Sequence, residues 1–309
     1  MTSLRQALKD YLATRRALGY QLRPEGVRLV KFVSFMEERR ASYVTTALAV
    51  EWAAQSAPAL AEPSRRLCMV RCFAKYMRAL DERNEVPPSD LIPNGFRRIR
   101  PYLYTDEQVQ GILDAAMNRS PFESPKGKYY CFFGLLFVTG MRIGEAINLT
   151  DEDVDFTRGT LLVRKAKFTK SRMIPLHPTT VKILQAYQSR RAEYLNGRQA
   201  VRFFVSSKGT ALSHAGIYEV FRAVRKAVGL ERVSGRLPRI HDFRHLFAVR
   251  TMINWYRGGK DVERLLPVLS TFLGHVCVAS TYWYLTEHPE LMKLAVAKVN
   301  QRWEDRDGK

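Results

Sequence analysis

Residues 241–245 of the chain read HDFRH, and residues 273–284 read LGHVCVASTYWY. Upstream of them, residues 139–145 read TGMRIGE, and three lysines lie within residues 165–170. Each segment alone is a weak signal, because a Gly-x-Arg near a helix start and an aromatic cluster serve structure more often than chemistry. Together, however, the segments place two arginines, a lysine, two histidines and a tyrosine in one part of the chain.

This set of side chains suits the transfer of a phosphodiester to a tyrosine. Arginine forks bind phosphate bidentately and keep their charge, so Arg142 and Arg244 can hold a phosphate and stabilise charge on its non-bridging oxygens. The phenol of Tyr284 can form a covalent phosphoester, and a lysine can protonate the leaving 5′-oxygen. Histidines can orient the phosphate or carry the proton of the attacking group. This chemistry needs no metal ion.

The order Arg, Lys, His-x-x-Arg, Leu-Gly-His, Tyr over residues 104–300 resembles the tyrosine recombinase family, also called the phage integrase family. The tyrosine stands nine residues after the Leu-Gly-His histidine, as that family's pattern requires. The resemblance implies that the chain cuts and rejoins DNA through a 3′-phosphotyrosine intermediate, with neither a cofactor nor a metal ion. It implies the following catalytic residues: Arg142, Lys167, His241, Arg244, His275 and Tyr284.

Two of these assignments have rivals close by in the sequence. Tyr282 is an alternative nucleophile, although the spacing and the Thr-x-x-Tyr pattern favour Tyr284. The family's lysine lies in a hairpin, shortly before a strand that ends in a Pro-Leu pair. Lys167 stands eight residues before that pair here, and Lys165 and Lys170 are the alternatives.

Acidic residues near these motifs are interpreted as structural. Glu145 and Asp242 match family positions that are mainly structural, and we expect Glu145 to brace the first arginine box by a hydrogen bond or an ion pair. No cluster of carboxylates accompanies the basic residues, which disfavours a metal-dependent nuclease. Type IB topoisomerase-like strand passage and a non-catalytic DNA-binding protein are the alternatives to recombination.

The composition favours a polyanionic partner. The chain has 50 Lys and Arg against 30 Asp and Glu, a net charge of +20 and a pI near 10.0, which favours binding to nucleic acid. No apolar run is long enough to span a membrane, and the first residues lack the apolar core of a signal peptide, so we expect a cytoplasmic protein. The cysteines form no CxxC pair that would predict a zinc site or a disulfide framework: they are Cys68, Cys72, Cys131 and Cys277.

Apolar spacing and proline content divide the chain into three parts. Residues 1–88 show helical apolar spacing, residues 89–103 form a basic, proline-rich linker, and residues 104–309 form a second domain with a C-terminal tail helix. The resemblance implies that the first part is a helical, SAM-like core-binding domain that binds DNA. It implies that the last part is the mixed α/β catalytic domain of a tyrosine recombinase.

The predicted fold is mainly α with a small β-sheet in the second domain. Residues 160–164 and 171–175 predict a hairpin around the lysine-rich turn, and residues 201–206 predict a third short strand. The tail helix carries an apolar stripe, which packs either on its own domain or, as the resemblance implies, on a neighbouring protomer. The stripe consists of Leu291, Leu294, Ala295 and Val299.

The resemblance further implies a site-specific recombinase for the integration, excision or transposition of a mobile element. Its substrates would be double-stranded DNA recombination sites. A homotetramer would act on two such sites, with sister recombinases or accessory proteins as further partners, and no membrane is expected to be involved.

Overall fold

The computed structural model describes residues 3–55, 62–93, 100–119, 127–164, 171–230, 237–275, 277–286 and 288–307. The chain divides into two compact units, an N-terminal unit of residues 1–99 and a C-terminal unit of residues 100–309. The division falls within the stretch that the sequence interprets as a linker. The prediction of a mainly helical protein with a small β-sheet is confirmed.

Four helices make up the regular structure in the described part of the N-terminal unit. They are α1 (Leu4–Ala17), α2 (Arg23–Glu38), α3 (Thr46–Ala54) and α4 (Glu62–Leu80). The hydroxyl of Ser3 accepts from the backbone of α1, and that of Thr45 from α3, which satisfies amides that have no partner inside a helix. The apolar stripes of the four helices meet in one core, where the rings of Phe32 and Trp52 pack edge to face with centroids 5.2 Å apart.

The C-terminal unit combines nine helices, in its described part, with a three-stranded sheet. The elements before the sheet are α5 (Asp106–Met117), α6 (Lys128–Thr139) and α7 (Ile143–Asn148), followed by a 3₁₀ turn (Asp151–Asp153). The strands are β1 (Val154–Asp155), β2 (Thr160–Val163) and β3 (Arg172–Pro175). The later helices are α8 (Pro178–Leu195), α9 (His214–Ala227), α10 (Asp242–Arg257), α11 (Val262–Leu273), α12 (Ala279–Thr286) and α13 (Pro289–Asp307).

The predicted hairpin is present and forms two strands of the sheet. β2 pairs antiparallel with β3, with Leu161 opposite Ile174, and β1 pairs antiparallel with the other edge of β2. The prediction of a strand at residues 201–206 is wrong. That segment is a loop, because its backbone forms an isolated bridge from Val205 to Ala211 and no ladder with the three strands of the sheet. Its two consecutive phenylalanines are both fully buried. The third strand, β1, is only two residues long and therefore leaves no periodic signal in the sequence.

The core of the C-terminal unit is built around α6, which contacts α5, α8 and α10. Its phenylalanines join an aromatic cluster with side chains from α8, α9, α10 and the 201–206 loop. The cluster consists of Phe132, Phe133, Tyr187, Phe203, Phe204, Phe221 and Phe243. This packing fixes the C-terminal end of α6 and the N-terminal end of α10, the two places from which the arginines predicted as catalytic arise.

The tail helix α13 begins on its own unit. Leu291 is fully buried against α10, and Leu294 packs partly against the same cluster. Farther along the helix, Val296 and Val299 are exposed. Of the two alternatives for the tail stripe, packing on its own domain therefore holds for the first turns of α13, while the later turns present apolar side chains to the outside.

Among the described residues, the cysteines form no disulfide and the acidic groups form no metal-binding cluster. All four cysteines are free, and only Cys131 among them is buried. Within the described ranges, no group of three or more histidine, cysteine, aspartate or glutamate side chains is arranged to hold a metal ion. No helix in the same ranges has both the length and the apolar character needed to cross a membrane.

The aromatic cluster predicts a large loss of stability when one of its rings is removed. Phe204→Ala deletes a fully buried side chain in contact with three other rings, and we expect a loss of about 3–5 kcal/mol in the free energy of unfolding. Val201→Ala is the matched control, since Val201 lies in the same loop but is 79% exposed and should change the free energy by less than about 0.5 kcal/mol. Urea unfolding of both variants tests this, and equal effects would contradict the assignment of the core.

Candidate active site

Arg142 stands at the turn between α6 and α7. α6 ends at Thr139 and is capped by Gly140, whose φ of +59° favours glycine, and a Cβ there would come within 2.7 Å of the Phe247 ring. The tight turn brings Arg142 to the start of α7, where its backbone N–H donates to Glu145 Oε2 (2.8 Å). Its guanidinium donates to Glu145 Oε1 (2.9 Å) and to the carbonyl of Gly274 (2.9 Å). Glu145 therefore braces the first arginine box, as predicted.

Glu145 is shared by a second arginine that the sequence did not single out. Arg172, at the start of β3, donates to both carboxylate oxygens of Glu145 (3.0 and 2.8 Å), and both side chains are more than 90% buried. Burial raises the pKa of the Glu145 carboxyl, but the bonds and charge of Arg172, with those of Arg142, outweigh it and hold the pKa below its ordinary value. Glu145 thus stays ionised between two cationic groups.

Arg244 is the most enclosed of the arginines in the site. It lies in the first turn of α10, is 2% exposed, and donates to the carbonyls of Gly140 (2.8 Å) and Leu273 (2.6 Å). Burial and the nearby charge of Arg142 lower the pKa of the Arg244 guanidinium to about 10, so the group is charged at neutral pH. Asp242, fully buried two residues earlier, binds Arg239 and has the structural role expected of it.

Three arginines converge on the C-terminal end of α11. Arg172 donates to the carbonyl of Phe272 (2.7 Å), Arg244 to that of Leu273 and Arg142 to that of Gly274. The last carbonyls of a helix have no partner inside it and carry the negative end of the helix dipole, so they attract cations. These bonds fix the end of α11, and the next residue in the chain is His275.

His275 is held by both its backbone and its ring. Its N–H donates to the carbonyl of Ser270 (2.9 Å), and its Nδ1 lies 2.8 Å from the hydroxyl of Thr281 on α12. Burial, followed by the charges of Arg244, Arg142 and Arg172, lowers the pKa of His275 to about 4. The ring is therefore neutral at physiological pH.

Tyr284 reaches into this cluster from α12. It is 3% exposed, and its side chain interacts with the guanidinium of Arg244. Its ring stacks on His275 with centroids 6.0 Å apart and meets His245 at 5.3 Å. Tyr282, the rival nucleophile, is 49% exposed and makes none of these contacts.

His241 lies at the edge of the cluster. It precedes α10, and its ring packs edge to face on His245 with centroids 4.9 Å apart. An open cleft of about 820 Å³ is lined by His241 together with Arg142 and Glu145. The structure thus brings together Arg142, His241, Arg244, His275 and Tyr284, and it gives the cluster one face that is accessible from outside.

The remaining predicted residue, Lys167, lies outside the described residues, as do its alternatives Lys165 and Lys170. The described strands on either side of this segment are β2, which ends at Val163, and β3, which begins at Arg172. Because Arg172 contacts Glu145 and the end of α11, the second of these strands begins directly at the site.

Three residues that contact this cluster were not assigned a role from the sequence. Arg172 had one available signal, since it stands three residues before the Pro-Leu pair of the predicted hairpin. Thr281 was used only as part of the Thr-x-x-Tyr pattern, and His245 only as a neighbour of Arg244. Their contacts join segments up to 100 residues apart, which no local pattern reports.

A buried tyrosine beside two arginines and a histidine, in a mixed α/β unit, defines the tyrosine recombinase class of DNA strand-exchange enzymes. Residues 103–290 match the family model described as Phage integrase family, and the chain belongs to this family. The prediction of a tyrosine-type site-specific recombinase is confirmed by this match and by the relatives that follow.

The chain is similar to relatives along most of its length. A Sinorhizobium fredii protein assigned as integrase/recombinase y4rB is 44% identical, over 99% of this chain and 100% of that protein. Tyrosine recombinase XerD of Mycobacterium tuberculosis is 30% identical, over 72% of this chain and 68% of that one. The solved structure of the Tn1549 transposon integrase, in complex with transposon right end DNA, superposes with a TM-score of 0.68 at 17% identity, over 97% of this chain and 99% of that one. That last similarity shows the shared fold.

The position of Glu145 between two arginines predicts how its charge contributes to stability. Glu145→Gln leaves Arg142 and Arg172 without their counter-charge, so we expect a loss on the order of 3 kcal/mol in the free energy of unfolding at pH 7. Because the folded-state pKa of Glu145 is lowered, its stabilisation is present above the ordinary carboxyl pKa and disappears as the pH falls through the folded value.

Urea unfolding of wild type and Glu145→Gln across pH 3–7 tests this, and the gap between them should narrow toward acid. The control is Glu152→Gln, because Glu152 is 84% exposed and its pair with Arg164 should contribute less than about 1 kcal/mol. A gap that widens toward acid would contradict the account.

Proposed function

We propose that this recombinase cleaves DNA by attack of the Tyr284 hydroxyl on a phosphodiester, leaving a 3′-phosphotyrosine and a free 5′-hydroxyl. The observation that carries this proposal is the position of the buried Tyr284 side chain, whose ring stacks on His275 and which interacts with the guanidinium of Arg244. Of the two tyrosines considered, only Tyr284 lies within reach of groups that bind phosphate.

The reaction exchanges one phosphoester for another. A bond forms between the Tyr284 oxygen and phosphorus, the bond from phosphorus to the 5′-oxygen breaks, and the phenolic proton leaves while the departing oxygen gains one. Rejoining reverses these changes with the 5′-hydroxyl of a partner strand. Because the number of phosphoester bonds is constant, the exchange needs no ATP, and the arginines supply the charge stabilisation that a metal ion gives in other phosphoryl transfers. We assign protonation of the leaving oxygen to Lys167 on the family resemblance.

The arginines supply positive charge where the transition state gains negative charge. A guanidinium carries five N–H groups, so the carbonyl bonds of Arg142 and Arg244 leave further donors for the oxygens of a bound phosphate. Arg142 is the more exposed of the two, with 29% of its side chain accessible, and it lines the open cleft. We assign it the first contact with the phosphate, and Arg244 the contact nearest Tyr284.

The substrate of this proposal is double-stranded DNA that carries a recombination site, in agreement with the net charge of +20. Residues 1–88 would act as the core-binding domain, residues 89–103 as a linker and residues 104–309 as the catalytic domain. A homotetramer would exchange strands between two sites in the cytoplasm, with sister recombinases or accessory proteins where the element requires them. The similarity to a transposon integrase supports a role in moving a mobile element.

The choice of nucleophile is tested by the formation of a covalent adduct. Wild type, Tyr284→Phe and Tyr282→Phe are incubated with nicked DNA from the ends of the element that encodes the gene, with EDTA and without ATP. We expect an SDS-stable protein–DNA adduct with wild type and Tyr282→Phe, and none with Tyr284→Phe, which should still bind DNA. An adduct lost only in Tyr282→Phe would overturn the assignment. Relaxation of plasmids without recombination sites would instead indicate a topoisomerase.

The role of the arginines is tested by separating cleavage from binding. Arg142→Gln and Arg244→Gln each remove donors to the developing charge, and we expect adduct formation to slow by on the order of 10²-fold or more, with a much smaller change in the Kd for DNA. Arg158→Gln is a suitable control, because Arg158 is a surface residue with 78% of its side chain exposed. Equal losses in rate and in binding would mean that these arginines only bind DNA.

A further inference from the structure

Thr281 occupies an unusual position for a helical threonine. It lies in α12, is fully buried, and its hydroxyl is 2.8 Å from Nδ1 of His275. His275 belongs to the segment between α11 and α12, so this single bond links the nucleophile's helix to the histidine of the site.

Four other helical threonines use their hydroxyl differently, whereas the hydroxyl of Thr179, in the first turn of α8, lies 2.8 Å from Nδ1 of the exposed His177 that caps the same helix. The hydroxyls of Thr14, Thr139, Thr251 and Thr271 each donate to the backbone carbonyl four residues earlier, at 2.5–2.9 Å. This is a common hydrogen bond for the hydroxyl of a threonine inside a helix. The hydroxyl of Thr281 is directed at the imidazole instead. Since a hydroxyl has one proton to donate, the absence of a carbonyl acceptor among its described contacts leaves that proton for the ring nitrogen.

We propose that Thr281 is a positioning residue that donates its hydroxyl proton to Nδ1 of His275 and thereby fixes the ring proton on Nε2. This inference rests on the proposed function, because it assigns His275 a donor role in phosphate binding. In a neutral imidazole one nitrogen is a donor and the other an acceptor, so occupying Nδ1 as an acceptor decides the state of Nε2.

The tautomer decides whether the ring presents a hydrogen-bond donor or a lone pair to a bound phosphate. An Nε2–H group donates a hydrogen bond to a phosphate oxygen and favours the extra charge of the transition state. The opposite tautomer would turn a lone pair toward the same anion and would repel it. Burial and the cationic surroundings keep the ring neutral, with a pKa of about 4, so the nitrogen that carries its single proton is the property that the protein sets.

The same helix therefore supplies the nucleophile and sets the histidine. Thr281 and Tyr284 are three residues apart on α12 and lie on one face of the helix, and the ring of His275 stacks on Tyr284 while its Nδ1 meets Thr281. A displacement of α12 would therefore move Tyr284 away from the arginines and also break the hydrogen bond from Thr281 that sets the tautomer of His275.

The first test compares variants that keep or lose the hydroxyl. Thr281→Val is nearly isosteric and removes the donor, and Thr281→Ser keeps it. We expect Thr281→Val to slow adduct formation on nicked DNA by on the order of 10- to 100-fold with an unchanged Kd, and Thr281→Ser to restore the rate. Thr251→Val is the matched control, since Thr251 bonds only to the carbonyl of Phe247 and should react at the wild-type rate. A Thr281→Val enzyme as fast as wild type, or a Thr281→Ser enzyme as slow as Thr281→Val, would overturn the proposal.

The second test does not depend on activity. The ring nitrogens of ¹⁵N-histidine-labelled, DNA-free protein report the tautomer of His275, whose signals are assigned by their loss in His275→Ala. We expect Nε2–H in wild type and in Thr281→Ser, and loss of that preference in Thr281→Val. A wild-type Nδ1–H signal would overturn the inference. If no variant forms an adduct while the tautomers behave as expected, the proposed function fails and the hydrogen-bond assignment stands.

The rate assay also tests whether Thr281 acts through His275. In a His275→Ala background, Thr281→Val should have no further effect on adduct formation, because its only route to the reaction is through the ring. Independent, multiplying effects of the two substitutions would show that Thr281 acts by general packing and would contradict the proposal.

Discussion

The structure of the site depends on the convergence of Arg142, Arg172 and Arg244 on three successive carbonyls at the end of α11. Three guanidinium groups at close range repel one another. Their repulsion is offset by the carbonyl dipoles of the helix end and by the carboxylate of Glu145, which binds two of them. The geometry leaves no room for a side chain at Gly274, where a Cβ would come within 2.7 Å of Arg172. Gly274 also has a φ of +65° at the C-terminal cap of α11, so both the backbone conformation and the packing of Arg172 favour glycine in the Leu-Gly-His motif.

This arrangement prepares the site for an anion before one binds. Three positive side chains surround one carboxylate, which binds two of them, so a phosphate bound as proposed would bring negative charge to donors that are already oriented. Groups that are already oriented in a water-poor site stabilise charge more effectively than groups that must reorient. Tyr284 and His275 are positioned by the same cluster, through Arg244 and the end of α11 respectively, so the proposed nucleophile and the proposed phosphate donors share a single support.

Sequence reasoning predicted the fold class, the hairpin and the residues that gather around Tyr284, because each belongs to a short motif or a periodic pattern. It missed β1 and assigned a strand to residues 201–206, since a run of apolar residues does not reveal whether both faces are buried. The role of Arg172 was missed as well, although its position three residues before the Pro-Leu pair was a signal in the sequence. Its function depends on contacts with Glu145 and Phe272, which are 27 and 100 residues away along the chain, and only the tertiary fold brings them together. The sequence identified Thr281 as the threonine of the Thr-x-x-Tyr pattern, but it did not indicate the hydrogen bond between Thr281 and His275.

The central claim is that the phosphate is transferred to Tyr284, and the most direct measurement identifies the modified tyrosine itself. The wild-type adduct formed on nicked DNA is trimmed with nuclease, digested with trypsin and fragmented in a mass spectrometer. The tryptic peptide of residues 265–293 contains both Tyr282 and Tyr284, so its fragment ions separate the two. The account predicts a nucleotide joined through its 3′-phosphate to Tyr284. A nucleotide on Tyr282, or on a residue outside this peptide, would contradict it.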